Sequence, residues 1–296
     1  MQILGVKVDQ VSMDESISVV EGWLNDSGKH YITTPNLEFI KAAQQDLEFK
    51  NILNQSDLAI PDSSRLGWLK DLIAEKSFPK RLLIFLQFLT PKNGNLTPIK
   101  SGLIHFDTVA GVDLMERLCK RCSEKGFVVG LLGGGPGVAE KTAERLQKKY
   151  PGIKIRVVAS TDESLRVLSA SSPIVHPRRF APAASRWGAP LAATPRDGPS
   201  FQIPKLDILF VALGAPKQEK WIAANLDKIP VKVAMGVGGS FDYLSGNIPR
   251  APKWLRSLSF EWLFRLLVQP WRIKRQLKLA GFLIGQLFST HSQTSY

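Results

Sequence analysis

Phe127-Val-Val-Gly-Leu-Leu132 runs directly into Gly133-Gly-Gly-Pro-Gly137, and that turn into Val138-Ala-Glu-Lys-Thr-Ala-Glu-Arg-Leu-Gln-Lys-Lys149. A short apolar run, a glycine turn and a helical pattern in this order form the opening half of a parallel crossover unit. The same alternation extends in both directions. Strands are predicted over 3–8, 30–33, 58–60, 127–132, 153–159, 206–213 and 231–237, and helices over 14–25, 37–54, 112–125, 138–149 and 217–226. Five or more parallel strands imply an α/β fold of three layers, in which ligands bind at the carboxyl ends of the strands.

The glycine turn lets backbone N–H groups approach an anion, and the following helix N-terminus adds a favourable dipole. Gly133, Gly134 and Gly135 are therefore candidate phosphate-binding positions, although the run fits neither GxGxxG nor GxxxxGK[ST]. A tight turn with no ligand is the plainer reading. A second glycine turn, Gly236-Val-Gly-Gly-Ser240, follows the strand predicted over 231–237 and suggests two such turns at one sheet edge.

Two further strand ends carry short polar side chains beside a proline, Thr33-Thr-Pro-Asn36 and Ile60-Pro-Asp-Ser-Ser64. Asp62 reads equally as a general base at the mouth of a site or as the N-cap of a helix starting near Ser64. Ala215-Pro-Lys-Gln-Glu219 opens another helix, where Lys217 and Gln218 could hydrogen-bond a ligand and Glu219 suits the first-turn preference for acids. Cys119 and Cys122, the only cysteines, sit in mid-helix and read as core residues. His30, His105, His176 and His291 are scattered, so no metal site is expected.

The 296 residues are 44% hydrophobic, enough for a sizeable core and unlike a disordered or disulfide-stapled chain. With 39 Lys and Arg against 26 Asp and Glu the net charge is +13, which calls for an anionic partner. No recognised nucleic-acid module accompanies that charge, and no nucleic acid is expected. Residues 247–296 hold eight Lys or Arg and one acid, a net +7, interleaved with Trp254, Trp262, Trp271 and many leucines and phenylalanines. Such a basic and aromatic tail predicts either a membrane-surface helix pair or a terminal helix docked on the core. No stretch is long enough to span a bilayer, and no basic-then-apolar leader is read at the N-terminus.

Two stretches interrupt the pattern. Within 63–108 lies Leu82-Leu-Ile-Phe-Leu-Gln-Phe-Leu89, a dozen-residue class of run that forms a buried or an interfacial helix. Residues 160–204 hold seven of the nineteen prolines and no lysine, and predict an irregular loop or insertion.

In order, Tyr31-Ile-Thr-Thr-Pro-Asn36, Ile60-Pro-Asp62, Val109-Ala-Gly-Val-Asp-Leu114, Leu131-Leu-Gly-Gly-Gly-Pro-Gly137, Leu213-Gly-Ala-Pro-Lys-Gln-Glu219, Gly236-Val-Gly-Gly-Ser-Phe-Asp242, Arg250-Ala-Pro252 and Glu261-Trp-Leu-Phe-Arg265 with Pro270-Trp-Arg272 resemble the WecG/TagA/CpsF glycosyltransferase family. The resemblance covers nearly all of the chain except 63–108 and 160–204. It implies a Rossmann-like core over 1–246, a membrane-associating appendage over 247–296, and an inverting, metal-independent, cofactor-free hexosyltransferase. The implied donor is a UDP-sugar such as UDP-N-acetylmannosamine. The implied acceptor is polyprenyl-diphosphate-linked N-acetylglucosamine at the cytoplasmic membrane face, in teichoic acid or other surface polysaccharide assembly. Carried over by motif, Asp62 is the general base, Thr34 and Asn36 are its pocket neighbours, and Gln218 contacts the donor. Arg265, Arg272 and Arg275 engage the lipid diphosphate. Self-association of the core is a further partner class that the resemblance raises. The alternative reading is an inactive or non-catalytic nucleotide-sugar-binding member. Ser63, where the family commonly has glycine, and Thr108, where it often has arginine, depart from the pattern.

Overall fold

The computed structural model describes residues 1–87, 108–159, 203–257 and 260–289. The chain opens with an antiparallel hairpin, β1 (Gln2–Ile3) and β2 (Val6–Lys7), where one strand over 3–8 is expected. Leu4 (φ 48°) and Gly5 (φ 74°) are both left-handed, the pair of conformations that lets a two-residue turn reverse the chain.

The remaining described strands form one parallel sheet. They are β3 (His30–Thr33), β4 (Leu58–Ala59), β5 (Val128–Gly133), β6 (Lys154–Ala159), β7 (Leu206–Ala212) and β8 (Val231–Gly236), in the order β4-β3-β8-β7-β5-β6. Each lies within a residue or so of its predicted range, because a strand covered on both faces is a near-continuous apolar run. One register row joins Val129, Ile208, Val233 and His30 across the sheet. A second joins Leu132, Val211 and Gly236, so the strands finish along one edge.

Helices α1 (Met13–Asn25) and α2 (Leu37–Ala43), then α3 (Leu47–Gln55), fill the first connections. The single helix predicted over 37–54 is two, because Asp46 caps a new start by accepting from Phe49 N–H at 2.9 Å. Next come α4 (Arg65–Ala74), α5 (Phe78–Gln87), α6 (Gly111–Lys125), α7 (Val138–Lys149), α8 (Lys217–Asn225) and α9 (Ser240–Leu244). The tail adds α10 (Lys253–Ser257), α11 (Glu261–Val268) and α12 (Ile273–Phe288).

Three apolar clusters hold these layers together. On one sheet face Val20, Leu24, Leu118, Ala139 and Leu146 of α1, α6 and α7 meet Ile32, Leu131, Phe210 and Met235. On the other, Ile222 and Ala223 of α8 and Ile52 of α3 meet Leu209, Val211 and Ala234. The third gathers the hairpin, α2, α4 and α5 around Leu279, Leu283 and Leu287 of α12. The C-terminal helix is thus seated on the core by one apolar face. Cys119 and Cys122 are fully buried, and burial pushes the Cys122 thiol up to about 12, so both behave as core residues. The loop expected over 160–204 lies outside the described residues up to 202, as do Phe88 and Leu89 of the predicted apolar run.

Candidate active site

A cleft of about 870 Å³ opens at the carboxyl edge of the sheet, between that edge and the tail helices. Backbone hydrogen bonds stitch its floor: Asp62 N–H donates to Pro35 O (3.1 Å) and Val109 N–H to Pro61 O (3.0 Å). The turns after β3 and β4 and the approach to α6 are therefore held as one unit.

Thr34, Asn36 and Asp62 are brought together there. Asp62 does not cap the helix that follows it, since Ser64 stands at that position and Asp62 Oδ1 instead accepts from Gly111 N–H at 2.7 Å. It serves the N-terminus of α6, 49 residues along the chain. A methyl group placed on Gly111 would lie 3.6 Å from Thr34 Cγ2 and 3.7 Å from Asp62 Oδ1, so this glycine leaves space where the two side chains converge. Thr34 Oγ1 is 3.5 Å from Gly236 O. Asn36 caps α2 through Oδ1, accepting from Glu38 N–H (2.9 Å) and Phe39 N–H (3.2 Å), and its side chain also hydrogen-bonds the Asp62 carboxylate. Burial raises the Asp62 carboxyl to about 7, and the nearby Glu261 charge adds to the rise. The Gly111 and Asn36 hydrogen bonds and the Arg265 charge oppose it without cancelling it.

The glycine turn supplies less than its sequence suggests. Gly134 N–H is spent on Ala212 O at 2.9 Å, and Gly133 is packed so that a Cβ would meet that same oxygen at 2.8 Å. Gly134 and Gly135 line the cleft, whereas Gly133 lies beneath it. At the start of α8, Lys217 is exposed and stands outside the cleft lining. Gln218 is buried at the cleft wall. Its Oε1 accepts from Gly214 N–H (3.1 Å) and Gly238 N–H (3.0 Å), tying the turn after β7 to the turn after β8. Its Nε2 donates to Glu219 Oε1 at 2.6 Å. Glu219 lies in the first turn of α8, as expected, and is fully buried there, and burial raises its carboxyl to about 7.

The opposite wall is cationic. Arg265 stacks 5.0 Å from the Tyr243 ring centroid, and Arg65 lies 5.1 Å from that of Trp262. Burial lowers Arg272, and the neighbouring charges of Arg265 and Arg275 lower it further. Crowding of like charges of this kind is relieved by a bound anion. Arg275 pairs with Glu38, and Arg250 grips Asp113 through two bonds of 2.5 and 2.7 Å, fastening the start of the tail to α6. Asp113, Arg250 and Trp262 lie within the motif blocks but carried no assigned role there, and the pairing of Asp113 with Arg250, 137 positions apart, leaves no local pattern. Arg65 has no motif to mark it. Among the described residues no group of three or more His, Cys, Asp or Glu is placed to hold a metal ion.

A carboxyl of raised proton affinity facing an arginine cluster, at the carboxyl edge of a parallel sheet, is equipped for acid–base work on an anionic ligand. Residues 1–85, 101–166 and 204–294 match the glycosyl transferase WecG/TagA/CpsF family, and the chain belongs to that family. The match reaches further than the motif blocks, since it includes 63–85 and 101–108 and leaves out only 86–100 and 167–203 between them. A relative from Bacillus subtilis (strain 168), the N-acetylglucosaminyldiphosphoundecaprenol N-acetyl-beta-D-mannosaminyltransferase, is 28% identical over 267 residues, covering 88% of this chain and 82% of the relative.

Proposed function

We propose that this chain is an inverting hexosyltransferase that moves N-acetylmannosamine, or a close relative of it, from a UDP-sugar to a polyprenyl-diphosphate-linked N-acetylglucosamine. The observation that carries the reading is the position of Asp62, which shares one cleft with Arg265, Arg272 and Arg275. The name and extent of the Bacillus subtilis relative support the substrate pair.

The acceptor hydroxyl attacks C1 of the donor sugar, forming the new C1–O bond as the bond from C1 to the UDP oxygen breaks. Asp62 takes the hydroxyl proton, and UDP leaves with the bonding electron pair. Thr34 and Asn36 hold the base and the approaching sugar in place. The growing charge on UDP and the resident charge of the lipid diphosphate are met by the arginine cluster. Gln218 acts on the donor indirectly, by fixing the two turns that face it. Attack from the side opposite the leaving group inverts the anomeric centre.

The protein works at the cytoplasmic membrane face, held peripherally by its tail. No helix among the described residues is long and apolar enough to cross a membrane, which is consistent with that arrangement. The test is UDP release from UDP-N-acetylmannosamine with the lipid-linked acceptor, comparing the native protein with Asp62→Asn. Loss of turnover is expected, and equal rates in both would overturn the role of Asp62. Donor binding without turnover in the native protein would instead identify a non-catalytic member.

A further inference from the structure

Helix α12 has two apolar faces. Leu279, Leu283 and Leu287 point into the core, while Ile273, Leu277, Ile284 and Phe288 form a second stripe that stays in solvent. Leu277 and Phe288 are each 65% exposed. Helix α5 repeats the pattern: Ile84 is buried in the same cluster, and Phe78, Leu82 and Leu86, spaced four apart, are exposed. The two exposed stripes meet, with the Phe78 and Phe288 rings 5.7 Å apart.

The pair is fixed as one body. Arg81 on α5 is itself 6% exposed, and its guanidinium donates to Ser289 O at 2.6 Å and to Gln286 O, closing the C-terminus of α12. Trp68 Nε1 donates to Ile84 O at 2.8 Å and ties α5 back to α4. Neither α5 nor α12 contains an acidic residue, and Lys80, Lys274, Arg275 and Lys278 are exposed on the same two helices.

We propose that α5 and α12 together form a docking face for an anionic bilayer, so that an internal helix and not the tail alone sets the protein on the membrane. The proposal rests on the membrane reading of the tail given above and extends it to α5. The apolar stripes, with the ammonium groups of Lys274 and Lys278 beside the one on α12, match the acyl boundary and phosphate headgroups of such a surface. A second copy of the chain fits less well, because it would bring the same basic rim against itself. The cleft supports the orientation: Arg272, Arg275, Gln276 and Leu279 line it from the N-terminal end of this helix and the turn before it. A face resting on lipid would therefore hold the mouth of the cleft at headgroup level, where a lipid-borne diphosphate lies.

The experiment uses the full chain with sedimented vesicles of phosphatidylglycerol and phosphatidylcholine, and with phosphatidylcholine alone as the neutral control. Leu82→Asn with Leu86→Asn removes only exposed apolar groups, and binding to the anionic vesicles should fall about tenfold or more. Val19→Asn, at an exposed site on α1, should bind as the native protein does. As a second measure, Leu86→Cys is labelled with an environment-sensitive fluorophore, the native cysteines being buried. Its emission should shift to the blue on adding anionic vesicles.

Unchanged binding together with an unshifted label would overturn the role of α5. So would a native dimer that the asparagine pair dissociates without any loss of vesicle binding. If Leu277→Asn with Phe288→Asn abolishes binding while the α5 pair does not, only the tail docks. Turnover of a water-soluble short-chain acceptor by the native protein, measured without vesicles, reports on the transferase reading separately.

Discussion

At Asp62 two sets of forces compete, and removal from water prevails over the hydrogen bonds and the arginine that favour the charged form. The result is a carboxyl whose proton affinity lies close to neutrality, which suits the general-base role proposed for it. We expect kcat/KM to rise with pH up to about 7 and then level off, as the raised value of Asp62 requires. Asp62→Asn should lower kcat by about two to four orders of magnitude and remove that limb of the profile. Gln218 makes a different prediction. Gln218→Ala leaves Gly214 and Gly238 N–H without their acceptor, so stability should fall by about 1–3 kcal/mol in denaturant titration. Donor KM should rise more than kcat falls, because the turns loosen while Asp62 stays in place. That Thr34, Asn36 and Asp62 meet at the sheet edge was legible because prolines mark the strand ends that carry them, whereas the role proposed for Asp62 comes from the family resemblance. Glu219 does lie in the first turn of its helix, but its burial was not legible, because a local preference for acids at a helix start says nothing about whether that turn faces solvent or the core.

Among the elements, long apolar runs were legible and the punctuation between them was less so. Strands β5, β7 and β8 could be placed closely from composition, as could α7. The hairpin of β1 and β2 could not, because its turn uses Leu4, which rarely takes a left-handed conformation. The break between α2 and α3 hangs on Asp46, and Asp46→Ala should lower stability by about 1 kcal/mol, measurable as a shifted denaturation midpoint. The tail was read as either docked or membrane-facing, yet α12 uses one face for the core and leaves the other apolar. Leu283→Ala empties part of the docked face. We expect a loss of about 2–5 kcal/mol, with faster proteolysis of α11 and α12 than of the sheet.

For the molecule as a whole, proton binding and folding are linked most strongly through two of the raised carboxyls. Asp62 and Glu219 each rise to about 7, from ordinary values of 3.8 and 4.5. In that interval the native state holds more protons than the unfolded chain, so their contribution is present at the acid end and lost as pH rises through about 7. Tm followed across this window should therefore fall with rising pH, and Glu219→Gln should flatten the slope. Below it the opposite sign takes over. Despite burial, Lys220 holds Asp46 low and Arg250 holds Asp113 low, and stability is lost there as pH falls. The order of the sheet also bears on how the chain is made. Strands β7 and β8 come last in sequence yet lie at the centre, between β3 with β4 on one side and β5 with β6 on the other. A nascent chain on the ribosome therefore carries two separate strand pairs with no shared middle. They can join only after Gly236 has left the exit tunnel, so protease resistance of stalled chains should appear abruptly at that length, and chaperones have the whole preceding interval in which to bind.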